Sequence, residues 1–172
     1  PGANGIALST KPFVVAPSSY VEYSATVRAN VNGTSAGLVY AYNDSQNFMY
    51  AAIVPGTSGQ VVLGHVSGGV WTTDYTSTRT VTANTDYTLL VAFDGKNVAA
   101  VLNGTSVGNF TYNILVNQGR VGLFTKGGAG SFDNLLLKGD DITFATTPQL
   151  LTAATVPVTP TNVTIDVNQI SS

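Results

Sequence analysis

The stretch DYTLLVAFDGKNVAAVLNGTSV, residues 86–107, constrains the fold more than any other part of the chain. Asp94-Gly95 and Asn103-Gly104 both suit tight hairpin turns in which the backbone takes positive φ. The three apolar runs that they separate read as an antiparallel meander. No window of the chain sustains helical periodicity. Short β-branched and aromatic runs broken by Gly, Asn, Asp and Pro recur instead, which predicts an all-β sandwich or barrel.

The remaining runs fit that reading. YVEYSATVRANV (20–31) places Tyr23, Ala25, Val27 and Ala29 on one face and Glu22, Ser24, Thr26 and Arg28 on the other, so it has one wet side. AGLVYAYND (36–44) and QNFMYAAIV (46–54) are apolar on both faces and read as central strands, with NDSQ as the turn between them. GQVVLGHV and GVWTTDYT pair around the SGG at 67–69. GRVGLFTK (119–126) and GSFDNLLLKG (130–139) complete the set, joined by GGAG, and the leucines of the second read as a buried strand.

The length of 172 residues fits one domain with a short extension. We place the sandwich at 1–138 and a Thr/Pro/Val-rich extension or linker at 139–172, where TNVTIDV still alternates like a strand. That segment carries three of the seven prolines, and it reads either as a connector to a following domain or as a strand folded back on the sandwich edge. The chain opens on Pro1, as a mature form or an excised fragment does.

Only 9% of residues are charged, and the seven Lys and Arg are scattered singly. Nucleic-acid binding needs clustered positive charge to displace counterions, so it is not expected. No run approaches the roughly 20 apolar residues of a membrane-spanning helix. Without cysteine there is neither a disulfide framework nor a thiolate zinc site. Low charge with many Thr, Asn and Gly suits an extracellular or cell-surface protein of bacterial type. The five N-x-S/T sequons, at Asn32, Asn43, Asn103, Asn109 and Asn162, are what chance supplies in so Asn- and Thr-rich a chain.

Three quoted pieces, in order, carry a family resemblance over roughly residues 19–138: AGLVYAYNDSQNFMYAAI, DYTLLVAFDGKNVAAVLNGTSV and GRVGLFTKGGAGSFDNLLL. Together they resemble the concanavalin A-like lectin/glucanase superfamily, particularly the laminin-G-like domains of large bacterial adhesins. The resemblance implies a two-sheet antiparallel jelly-roll sandwich. It also implies a structural calcium held by the aspartate of the closing strand, which makes Asp133 the metal candidate here. Ca²⁺ accepts carbonyls and water beside one carboxylate. The alternative is that Asp133 accepts backbone N–H bonds from a neighbouring turn. Asp140-Asp141 reads as solvated linker.

The carboxylate inventory argues against catalysis. Glycoside hydrolysis usually needs two flanking carboxyl groups, yet Glu22 is the single glutamate and lies on the polar face of an early strand. The superfamily's E-x-D-x-x-E strand has no counterpart, and Asp74 and Asp86 come with no motif. His65 is the only histidine, and with no G-x-S-x-G nearby it reads as structural.

Sugar recognition needs an aromatic to stack on a ring, with amides and carboxylates beside it for hydroxyls. Two loops supply candidates: Tyr42, Asn43, Asp44 and Asn47 in YNDSQN, and Trp71, Asp74 and Tyr75 in WTTDY, with Arg79 close behind. Each has a plainer reading. Trp71 fills a core as large aromatics do, Tyr42 alternates with Leu38 and Tyr40 and so faces inward, and NDSQ is ordinary turn chemistry. The expected function is non-catalytic binding of a glycan or other cell-surface ligand, by a monomeric module with neighbouring domains in a longer chain. A structural spacer or docking domain is the alternative, and a hydrolase acting on sugars a further one.

Overall fold

The computed structural model describes residues 4–9, 12–139 and 142–144, and every regular element among them is a strand. Six strands form one antiparallel sheet in the order β1 (Gly5–Leu8), β11 (Arg120–Lys126), β4 (Ser35–Asp44), β5 (Asn47–Val54), β6 (Gln60–Ser67), β7 (Val70–Thr78). Five form the other: β10 (Thr105–Thr111), β9 (Asn97–Leu102), β8 (Tyr87–Asp94), β3 (Tyr20–Ala29), β12 (Gly130–Gly139). A short ribbon pairs β2 (Phe13–Val14) with β13 (Thr143–Phe144).

The alternation read from the sequence sets the layers. In β3, Val21, Tyr23, Ala25, Val27 and Ala29 are buried while their neighbours stay half-exposed. The inner faces meet in one core, where Phe93 stacks on both Phe13 and Tyr40, with ring centroids 6.2 and 5.5 Å apart. The meander is β8–β9–β10, and its second turn has φ of 49° at Asn103 and 77° at Gly104. Positive φ at both central residues is the geometry that matches strand twist.

The six-stranded sheet is apolar on its outer face too, as β4 and β5 predict. Val39, Tyr42, Phe48, Tyr50 and Phe124 form a second buried cluster there. Trp71 packs over it, 5.0 Å from Tyr50 and 5.4 Å from Phe124 between ring centroids. The Lys126 ammonium lies 4.5 Å from the Trp71 ring centroid, a cation–π contact.

Two bulges override simple alternation. Ala41 takes φ of 47°, and both ladders of β4 shift register beside it. Leu38 and Tyr40 therefore face the inner core while Tyr42 turns to the outer cluster, contrary to the inward position that period-two alternation gives it. In β7, Leu63 pairs with Tyr75 and Gly64 with Thr73, so Asp74 is the extra residue. Tyr75 then faces the inner core, donates its hydroxyl to the Val107 carbonyl at 3.0 Å, and its ring fills the space a Cβ at Gly108 would need.

The leucine run is not fully buried. Strand β12 is an edge strand, with Leu135 and Leu137 partly buried and Leu136 exposed, because a bulge between Asp133 and Leu136 interrupts its pairing. After Gly139 the chain returns to pair β13 with β2, which brings 143–144 back onto the sandwich. The rest of the expected extension, Asp140-Asp141 included, lies outside the described residues.

Candidate functional site

A cleft of about 660 Å³ opens where the β4–β5 turn, the β6–β7 turn and the loop after β10 converge. Its apolar lining comes from Phe13, Phe48, Met49, Ile114 and Leu115, and its polar lining from Asn43, Asn47, His65, Ser67 and Gln118. Ser67 and His65 follow Val61 and Leu63 on the inner row of β6, past the end of the packed core.

The walls are tied down by backbone bonds. Gly69 N–H donates to the Gln46 carbonyl at 3.0 Å, which joins the two hairpin turns, and Gly68 N–H donates to Asn47 Oδ1 at 3.3 Å. The loop after β10 is fixed by Asn117, buried to 1% exposure, whose Nδ2 donates to the carbonyls of Ala16 at 3.0 Å and Pro17 at 3.1 Å. Val116 N–H donates to the Gly95 carbonyl at 2.8 Å.

Asp74 stands behind the cleft rather than in it. Its Oδ2 lies 2.7 Å from His65 Nδ1, with side-chain exposures of 12% for Asp74 and 31% for His65. Tyr112 donates to the Gly64 carbonyl at 3.3 Å beside this pair. Burial raises the Tyr112 phenol above its ordinary range; the Tyr40 hydroxyl pulls it down and the Asp74 charge pushes it further up. Burial also raises Tyr42, with the Asp44 charge adding to it and Arg120 opposing.

The two loops singled out from the sequence fare differently. Tyr42, Asn43 and Asn47 line the cleft. Asp44 in the same turn accepts from the Gln46 N–H at 2.8 Å and from Asn47 Nδ2 at 2.9 Å, which is turn chemistry. The WTTDY residues do not form one group. Trp71 belongs to the outer cluster, whereas the bulge sends Asp74 to His65 and Tyr75 to the inner core. Arg79 donates to the Thr78 carbonyl at 3.3 Å, away from the cleft.

His65, read as structural from the sequence, lines the cleft, as do Phe13, Met49 and Gln118. A sequence signal for His65 exists in the alternation of VVLGHVS, which puts it on the row of Val61 and Leu63. No Asp or Glu stands among the described lining residues, so the cleft lacks the carboxyl pair of ordinary glycoside hydrolysis.

Asp133 is exposed on β12, and its Oδ1 accepts the Asn134 N–H at 2.7 Å across a residue with φ of 52°. The Asn134 Nδ2 donates in turn to Thr26 Oγ1 at 3.2 Å. Among the described residues no group of three or more His, Cys, Asp or Glu converges to hold a metal. Asp133 is thus a single carboxylate engaged in its own turn, and the other oxygens that calcium takes would have to come from carbonyls and water.

No protein-family model and no curated protein matches the chain. Solved structures do. The chain is similar to the carbohydrate binding module CBM66 from Bacillus subtilis, at 16% identity over 80% of this chain and 83% of that one, with a TM-score of 0.68. A congerin II double mutant matches at 15% identity over 78% of this chain and 99% of its own, with a TM-score of 0.59. The Caenorhabditis elegans galectin LEC-6 matches at 12% identity over 79% and 96%, with a TM-score of 0.52. These likenesses show the fold, a two-sheet antiparallel jelly-roll sandwich.

Proposed function

We propose that the chain is a non-catalytic carbohydrate-binding module that works outside the cell, within a longer bacterial surface protein of adhesin type. The observation that carries this reading is the cleft itself. It offers the amides of Asn43 and Gln118 and the imidazole of His65 for hydroxyls, beside an apolar floor for the C–H face of a sugar, without a carboxylate pair to cleave it. The similar structures include one that is by name a carbohydrate binding module, which agrees with this reading. The low charge of 9% suits a surface protein.

A glycan-array screen of the purified chain, run with millimolar calcium and again with excess chelator, tests it. The reading expects retention on a defined set of glycans in both conditions, since no cleft residue is a calcium donor of the usual carboxylate kind. Retention that vanishes with chelator would return calcium to the account. No retention in either condition would favour the spacer or docking domain.

A further inference from the structure

We infer that His65, held by Asp74, is the hydroxyl-reading acceptor of the cleft, and that the ligand it selects is a sugar presenting a free hydroxyl hydrogen to the imidazole beside an apolar C–H face. This rests on the carbohydrate reading above and goes further by naming the atom that discriminates.

The geometry has three parts. First, the ring is shared between two environments. Nδ1 lies 2.7 Å from an Asp74 oxygen, while the residue as a whole lines the cleft and keeps 31% of its side chain exposed. Asp74 itself is absent from the described lining and only 12% exposed. Asp74 engages Nδ1, so Nε2 is the ring nitrogen left to meet a ligand.

Second, the carboxylate fixes the tautomer. An ionised carboxylate accepts and does not donate, so a contact of 2.7 Å places the proton on Nδ1. In the neutral ring, Nε2 then bears the lone pair and accepts. A sugar hydroxyl donates to such a nitrogen, whereas a ligand with only acceptors does not. Asp74 is thus a positioning residue: it acts through His65 without touching ligand.

Third, the surroundings suit a sugar ring. Met49 is the cross-strand partner of His65 on β5 and forms part of the apolar lining. Leu115 and the exposed Ile114 line the same cleft from the loop after β10. Of the amides nearby, Asn47 is committed to Asp44 and Gly68. Asn43 and Gln118 remain to meet further hydroxyls.

Because the chain has a single histidine, one imidazole signal pair reports the site. The test is ¹⁵N-histidine NMR on the whole chain, with titration of a panel of methyl glycosides and gluco-, galacto- and fructo-oligosaccharides. At mildly alkaline pH, where an ordinary imidazole is neutral, the free protein should show the Nδ1–H tautomer, and Asp74→Asn should mix the two tautomers. The binding member of the panel should shift Nε2, bind His65→Phe about tenfold more weakly, and bind Asp74→Asn several-fold more weakly. An Nε2–H tautomer in the free protein overturns the inference. So does wild-type affinity in His65→Phe, with the carbohydrate reading left standing. If no member of the panel binds the wild-type chain, both fall together.

Discussion

Tyr23 of the five-stranded sheet donates its hydroxyl to the Gly122 carbonyl of the six-stranded sheet, at 2.8 Å across a fully buried core. It is a direct polar tie between the layers, as is the Tyr75 hydroxyl on the Val107 carbonyl, in a core that is otherwise mostly apolar. Tyr23→Phe keeps the ring and leaves the carbonyl short of a partner, which costs about 1–2 kcal/mol in a buried site. Urea unfolding should show that loss, while glycan affinity should not change, because Tyr23 is no part of the cleft lining. Unchanged stability would mean that water reaches the carbonyl.

Alkaline pH should unfold the protein steeply. Tyr23, Tyr40 and Tyr112 all have phenols raised above their ordinary value, chiefly by burial. Below about pH 10 both the folded and unfolded chains keep these protons, and the stability is intact. Above it the unfolded chain releases them and the folded chain does not, so stability falls as pH rises. Each phenol contributes about 1.4 kcal/mol per pH unit in that window. Circular dichroism and tyrosinate absorbance, followed together from neutral pH upward, should show these phenols ionising only as the fold is lost. Complete ionisation of all tyrosines in a folded protein would contradict this.

The bulge at Ala41 sets where Tyr42 points. A φ of 47° strains an alanine by about 1 kcal/mol, a strain that glycine does not feel. Ala41→Gly should therefore raise the denaturation midpoint, or at worst leave it unchanged after glycine's greater freedom in the unfolded chain. Ala41→Val should lower it and weaken glycan binding, since a β-branched residue resists this conformation and Tyr42 lines the cleft.

Trp71 is the chain's only tryptophan, and its ring faces are taken by the outer cluster and by Lys126. Trp71→Phe should cost stability, about 1–2 kcal/mol from lost packing and the lost cation–π contact. Calorimetric titration should find glycan affinity within twofold of wild type. A large loss of affinity in a folded variant would make Trp71 a stacking platform after all.

How much of this was legible in the sequence depends on where alternation holds. Strand β3 could be read residue by residue because its period of two is unbroken from Tyr23 to Ala29. The turns at Asn103-Gly104 and 67–69 announced themselves through residues that tolerate positive φ. Tyr42 was misplaced because an alanine gives no warning that it will take a left-handed conformation. Trp71, Asp74 and Tyr75 were grouped by nearness in sequence, and the bulge on β7 then divided them between the two faces. The rest of the cleft, beyond Tyr42, Asn43 and Asn47, escaped for a different reason. Phe13, His65 and Gln118 are far apart in the chain, and they meet only because β2 bridges Gly119 while Asn117 anchors its loop to Ala16 and Pro17.

The cleft beside His65 is the proposed glycan site. The most direct measurement is an amide and side-chain NMR titration of the labelled chain with the strongest oligosaccharide from the array. Shifts should concentrate at Asn43, Phe48, His65 to Ser67 and Ile114 to Gln118, while the strand β12 around Asp133 stays still. Shifts centred on Trp71 and Lys126, or on β12, would place binding elsewhere and contradict it.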